Sequence, residues 1–508
     1  MNNDAFLRHH GLVANPFRAE EARQDLVFDR IESACRHPDF DKILGDLGHP
    51  SSSVVFGERG SGKTAIRIQI ERILREREMA TDGGPKVWMV GYDDFNDLLA
   101  RFMKSIGDDD PATALTEVEL VDHMDGLLYR TVPRVVDGLL RDRSDAPDFG
   151  RPADIRRGVR GLPEETRQRM LRMQVVYDRP GPIEGRTRRL RKLLRLSGGA
   201  GVRGAKAWTL FLLALGLALA VAGYVGAEDL GVDPNVALVP AALIGLGALY
   251  AAYRWLGNAW KVRKTAKQLA KSIRIDDRGK DGFRPSLAFV PKGDLGPREL
   301  PVDRSEGARY GFFGVLVDVL QSVGYDSVMV LVDRLDEPTA INGDANRMKA
   351  FIWPILNNKF LQMRSTGFKL LLPLELRSEI MREREGFFRE ARLDKQHMID
   401  RLSWSGSMLY DLCNARFKAC LAPEARTDDR TVMDMFGDDV SRQEVVDALD
   451  QLQQPRDAFK FLYALIQEHC SNVSSEEESF RIARITLDLV RKREVHRKDS
   501  MLRGNLPA

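Results

Sequence analysis

Residues 57–64 read Gly-Glu-Arg-Gly-Ser-Gly-Lys-Thr, which fits the G-x-x-x-x-G-K-[ST] spacing of a phosphate-cradling loop. Glycines let successive backbone N–H groups turn toward phosphate oxygens, and a helix after the loop adds its positive end. On this reading Gly57, Gly60, Ser61, Gly62 and Lys63 hold the phosphates, Lys63 reaching the β- and γ-phosphates, and the Thr64 hydroxyl binds magnesium. Such a loop needs an acid on a neighbouring strand to hold the metal. The run Val328-Met329-Val330-Leu331-Val332-Asp333 ends in one, so Asp333 is the expected magnesium partner; the plainer alternative is an ordinary strand-end aspartate. Hydrolysis further needs a group that positions water. Arg334 follows directly and stays protonated, which leaves Asp336 and Glu337 as the candidate acids. Arg456, in Gln454-Pro455-Arg456-Asp457, is a candidate cation for the γ-phosphate, although Pro-Arg-Asp also makes an ordinary helix start. Arg416 is its rival.

The elements that would position these groups alternate in type. Ser53–Phe56 is a short β-rich run before the loop, and Ile66, Ile70, Ile73 and Leu74 recur at helical spacing after it. Lys86–Val90, Ser327–Val332 and Phe368–Leu372 read as further strands, and residues 114–178 as mainly helical and polar. Apolar strands separated by helices predict an α/β fold with a parallel sheet covered on both faces. From Asp428 onward the pattern is helical. Ser441 with Glu444 forms a capping box, and a helix is expected from about Glu476.

Two apolar runs interrupt this pattern: Ala207–Ala227, without a charge, and Val236–Leu256, with Arg254 near its end. Each is long enough to span a bilayer. Basic residues flank the pair (Arg186 to Lys206, Lys261 to Arg274), while the turn between the runs carries Glu228, Asp229 and Asp233. This predicts an inner-membrane hairpin of two helices with both termini cytoplasmic and anionic lipid headgroups at the basic flanks. Small residues at every fourth position (Ala214, Ala218, Ala222, Gly226) suit close helix packing. The expected division is 1–110, first part of the nucleotide-binding domain; 111–206, helical insertion; 207–256, hairpin; 257–320, return segment; 321–425, second part; 426–508, helical lid.

The 508 residues carry 77 Lys and Arg against 74 Asp and Glu, so global charge favours no partner and gives no specific nucleic-acid signal. The four cysteines (Cys35, Cys413, Cys420, Cys470) form no metal spacing and read as reduced thiols. His9 and His10 read as solvated terminal residues.

The chain resembles AAA-related signal-transduction ATPases, and in architecture the KAP-type P-loop NTPases, which carry transmembrane helices between phosphate loop and acidic strand. Asp333-Arg334-Leu335-Asp336 parallels their Asp-Asp-Leu-Asp strand end, departing at Arg334, and Arg59 stands where they usually have Trp. Gly11-Leu12-Val13-Ala14-Asn15-Pro16-Phe17 is similar to the start of AAA-type ATPases of bacterial secretion systems, and Gln454-Pro455-Arg456-Asp457 to a lid segment with a nucleotide-sensing arginine. The resemblance implies ATP and magnesium as cofactors, and a switch coupling nucleotide state to assembly or signalling, in bacterial relatives often in anti-phage defence. A homo-oligomer and a further protein partner are expected. An ATP-binding scaffold without turnover and a channel or transporter subunit remain the alternatives.

Overall fold

Five runs rich in Val, Leu, Met and Phe form one sheet: β1 Ser53–Gly57, β2 Val87–Tyr92, β3 Ser327–Val332, β4 Thr366–Pro373 and β5 His397–Ile399. The computed structural model describes residues 1–18, 22–31, 36–80, 83–179, 183–196, 210–212, 214–218, 221, 239–356, 359–382, 397–427, 429–473 and 479–502. The strands lie in the order β2-β3-β4-β1-β5, every neighbouring pair parallel. The parallel α/β expectation is met, and four of the five strands were legible in advance.

Alternation along each strand splits the core in two. Val54, Phe56, Val328, Val330, Val332, Phe368 and Leu370 face one side; Val55, Met329, Leu331 and Leu371 face the other, against Ile66, Ile70 and Leu74 of the helix Lys63–Met79. The chain leaves β1 for the far edge and then steps back through β2, β3 and β4. Right-handed crossovers therefore put the helix after β1 on one face and the helices before and after β4, Ala345–Leu356 and Leu374–Met381, on the other. The carboxyl end of β1 lies at this reversal, where open parallel sheets form a crevice.

A helical layer covers the second face. It is built from Leu120–Leu140, Glu164–Tyr177 and Ile183–Leu193, and from Val239–Ser272, Gly279–Leu287 and Gly307–Ser322 later in the chain. Of the polar residues expected here, several are buried in ion pairs and hydrogen bonds. Asp125 and Arg309 are both wholly buried and joined at 2.8 and 2.9 Å, with the Tyr177 hydroxyl donating to Asp125 at 2.5 Å. Asp122 accepts from Arg274 at 2.7 Å and from Arg304 at 2.9 Å.

A second core joins the two ends of the sequence. Phe6, Phe17 and Phe28 pack with Leu409, Phe417, Val445, Phe461 and Leu465, so the N-terminal segment belongs with the C-terminal helices. The Met1 amine donates to the carbonyls of Cys470 and Val473 at 2.9 and 2.7 Å. His10 is buried here: its Nε2 donates to Phe480 O at 2.7 Å, and burial lowers its pKa to about 4. Its reading as a solvated residue is thus corrected; His9 remains exposed, stacked on Phe480. The helices Gly406–Ala419, Arg442–Asp450, Pro455–Asn472 and Arg484–Leu502 complete this unit. The Ser441–Glu444 capping box is present, and the last helix begins at Arg484, later than expected. Cys413, Cys420 and Cys470 are buried free thiols; Cys35 lies outside the described residues.

The membrane expectation is overturned. Among the described residues no helix is long and apolar enough to cross a membrane, so the two-span inner-membrane placement and its topology fall. Most of the first run, the acidic turn, and Arg203 and Lys206 lie outside the described residues. The second run forms the start of a 34-residue helix, Val239–Ser272. Gly245, Gly247, Tyr250, Tyr253 and Arg254 interrupt its apolar stretch, and it runs on into the basic residues from Lys261.

Candidate functional site

The loop between β1 and the helix Lys63–Met79 turns tightly because Gly60 and Gly62 take φ of +94° and +96°, a region closed to most side chains. Gly60 is also crowded: a Cβ there would lie 3.0 Å from both Arg456 Cβ and Gln454 Oε1. The Lys63 ammonium donates to the Gly57 and Glu58 carbonyls at 2.7 and 3.0 Å. Burial lowers its pKa, opposed by the charges of Asp336 and then Asp333. The Ser61 hydroxyl is buried and finds no hydrogen-bond partner among the described residues, while the Ser61 carbonyl accepts from Trp404 Nε1 at 2.8 Å.

Asp333 follows the last residue of β3 and is almost completely buried. Thr64 Oγ1 donates to its Oδ2 at 3.0 Å, across 269 residues of sequence. Burial raises the Asp333 pKa, against the Arg67 charge, the Thr64 hydrogen bond and the Lys63 charge. Arg334 adopts φ +62°, uncommon for a non-glycine residue and typical of strained functional turns. It forms an ion pair with Glu337, which is exposed. Asp336 is half-buried and is the charge that acts most strongly on Lys63.

A cavity of about 760 Å³ opens above this sheet edge, within the size range of small-ligand sites. Gly60, Gly62, Lys63, Thr64, Asp333, Asp336, Glu337 and Arg456 all line it. Gly57 and Ser61 belong to the same loop but do not line the cavity. Arg416 reaches the wall as well, with most of its guanidinium committed elsewhere: Nε donates to Pro16 O at 2.7 Å, Nη1 pairs with Asp25, and the group sits 4.3 Å from the Phe459 ring centroid, while Nη2 is buried without a hydrogen-bond partner among the described residues. It braces the N-terminal segment against the C-terminal helices.

Three features went unread in the sequence. Phe28, Ile31 and His37 of the N-terminal segment form part of the cavity wall. Trp404 pins the loop and packs edge-on to His37, with centroids 4.9 Å apart. Asp93 follows β2, and the pairing of Tyr92 with Val332 places it beside Asp333; Arg67 reaches it at 2.5 Å and Arg23 at 2.7 Å. An acid after the run Val87–Tyr92 was the available signal, obscured because Gly91 breaks the apolar pattern.

The oxygens brought together for a cation beside the loop are the Thr64 hydroxyl and the Asp333 carboxylate, with the Asp336 and Glu337 carboxylates also on the cavity wall. Among the described residues no group of three or more His, Cys, Asp or Glu forms a metal cluster. That set fits magnesium, a hard ion that takes few protein oxygens and completes its shell with water and phosphate. Compared with protein-family models, curated proteins and solved structures, the chain finds no match.

Proposed function

We propose that the chain binds ATP with magnesium in this cavity and hydrolyses it, acting as a nucleotide-dependent switch in the manner of P-loop NTPases. The observation that carries the reading is the Thr64–Asp333 hydrogen bond, which joins the loop to the acidic strand end at the crevice of a parallel sheet. The loop amides, Lys63 and the Ser61 hydroxyl would hold phosphate oxygens, the Ser61 hydroxyl gaining the partner it lacks. Thr64 and Asp333 would hold magnesium, which supplies charge neutralisation between the β- and γ-phosphates. Arg456, which lines the same cavity beside Gly60, would meet the charge that develops on the γ-phosphate. Asp336 is the acid placed to orient water, since Glu337 is engaged by Arg334. Phe28 and Ile31 offer an apolar face for the base; no guanine-selective motif is present in the sequence, which favours adenine.

The test is equilibrium binding of ATP with and without magnesium, together with phosphate release, on the parent and on Lys63→Ala. Lys63→Ala should lose ATP binding and turnover while keeping its fold. Equal ATP binding by the two proteins would rule out this cavity as the nucleotide site. The scaffold reading, binding without turnover, is favoured by Arg334 at the position after Asp333, and phosphate release separates the two.

A further inference from the structure

Glu58 stands at an open position of the loop pattern, where any residue satisfies the phosphate chemistry. Its two carboxylate oxygens are nonetheless both engaged by residues that come much later in the chain. One accepts from Arg401 Nη2 at 2.5 Å and the other from the Gln454 side-chain amide. Gln454 is the N-cap residue of the helix Pro455–Asn472, yet its side chain makes no cap bond; it reaches the loop instead. The residue before it, Gln453, holds φ +60°, a left-handed conformation that costs free energy away from glycine, and Arg401 also donates to its side chain at 3.4 Å. Two residues after Gln453 the helix begins, and Arg456 follows at its second position. The Arg456 amide donates to Gly60 O at 3.4 Å, and a Cβ on Gly60 would come within 3.0 Å of Arg456 and Gln454.

Lys63 is anchored to the sheet and Arg456 to a helix of the second core. Their separation is set by whatever crosses between the two bodies at this point, and Glu58 with Gln454 does so directly. We propose that Glu58 is a positioning residue of the nucleotide site, holding Gln454 and thereby setting Arg456 to read the γ-phosphate. The proposal rests on the nucleotide reading above. It requires Glu58 to act through Arg456, so the two substitutions must not act independently.

The affinities of ATP and ADP, each with magnesium, test this without depending on turnover, because only ATP offers the γ-phosphate. Arg456→Ala and Glu58→Ala should each weaken ATP roughly tenfold, the scale of one charge-assisted hydrogen bond, with ADP affinity changed by less than about threefold. The double variant should be no worse than Arg456→Ala alone, as expected for two groups in one pathway. Glu58→Gln combined with Gln454→Glu restores a carboxylate–amide pair with the roles exchanged, and should recover most of the ATP preference. Gln454→Met carries the same expectation as Glu58→Ala if the latter folds poorly, since it leaves the loop sequence intact. Unchanged ATP affinity in Glu58→Ala, equal losses for ATP and ADP, losses that multiply with those of Arg456→Ala, or an exchanged pair no better than Glu58→Ala would each overturn the proposal. A parent that binds neither nucleotide refutes the nucleotide reading itself, a distinct result.

Discussion

Replacing Arg309 by Met tests what holds the helical layer together. Arg309 makes hydrogen bonds to both Asp125 oxygens, to the carbonyls of Asp303 and Ser305 at 2.9 Å each, and to Ser272 Oγ at 3.1 Å. Met matches much of the stem volume but none of these donors. Among the described residues Asp125, wholly buried, would keep the Tyr177 hydroxyl as its one donor, and the carbonyls of Asp303 and Ser305, both exposed residues, would lose one. Breaking a buried pair from one side costs about 3–5 kcal/mol, and the complete burial of Asp125 and Arg309 puts the effect in that range. Asp125→Asn in the same chain removes the stranded charge, so the double variant should regain roughly half of the loss or more. Denaturant unfolding followed by the near-ultraviolet signal of the tyrosines and tryptophans in this layer measures both. If Arg309→Met unfolds within about 1 kcal/mol of the parent, below the smallest cost expected of a broken buried pair, the buried pair does not join the segments before and after residues 197–238.

Asp333→Asn should abolish magnesium-dependent ATP binding and yet stabilise the nucleotide-free protein by roughly 0.5–2 kcal/mol, as active-site charges commonly oppose stability. The sign follows from the raised pKa of Asp333: a carboxyl that is harder to ionise when folded favours folding below its ordinary pKa of 3.8 and loses that contribution as pH rises through the raised value. Thermal unfolding should therefore show a larger gain for Asp333→Asn at pH 8 than at pH 5; an equal or smaller gain contradicts the assignment. Asp336→Asn should lower kcat by roughly 10²-fold or more with near-parent ATP affinity, whereas Glu337→Gln should leave turnover within about threefold. Parent turnover in Asp336→Asn would place the water-orienting group elsewhere, with Asp93 the next acid to examine.

The parts legible in sequence are those whose signal is local. The phosphate loop is eight consecutive residues whose glycines report backbone geometry, and β1, β3 and β4 are continuous apolar runs because both faces of the sheet are covered. β5 is three residues long, too short for any periodicity. The cavity wall at Phe28, Ile31 and His37 was invisible because it depends on contacts with residues near 404 and 459, and no local pattern encodes such pairing. The same holds for Arg416, whose partners Pro16 and Asp25 lie at the other end of the chain. The apolar runs misled for a related reason: composition reports the wish to leave water, not what receives the surface. His10 was misread in the same way, since position near a terminus says nothing about burial.

The strand order has a consequence for how the protein is made. Val54 of β1 pairs with Leu370 and Met398 on its two sides, and Val90 of β2 with Val330. During synthesis β1 therefore emerges before both of its neighbours, β4 and β5, and β2 before its one neighbour, β3, since all three come only after the helical layer. At roughly 5–20 residues per second the wait is on the order of tens of seconds, during which two apolar strands have unpaired edges. Such segments are prone to associate with other chains. A ribosome-bound chain halted before residue 327 should accordingly hold its first 110 residues as a client of holding chaperones, and a chain released past residue 400 should no longer need them.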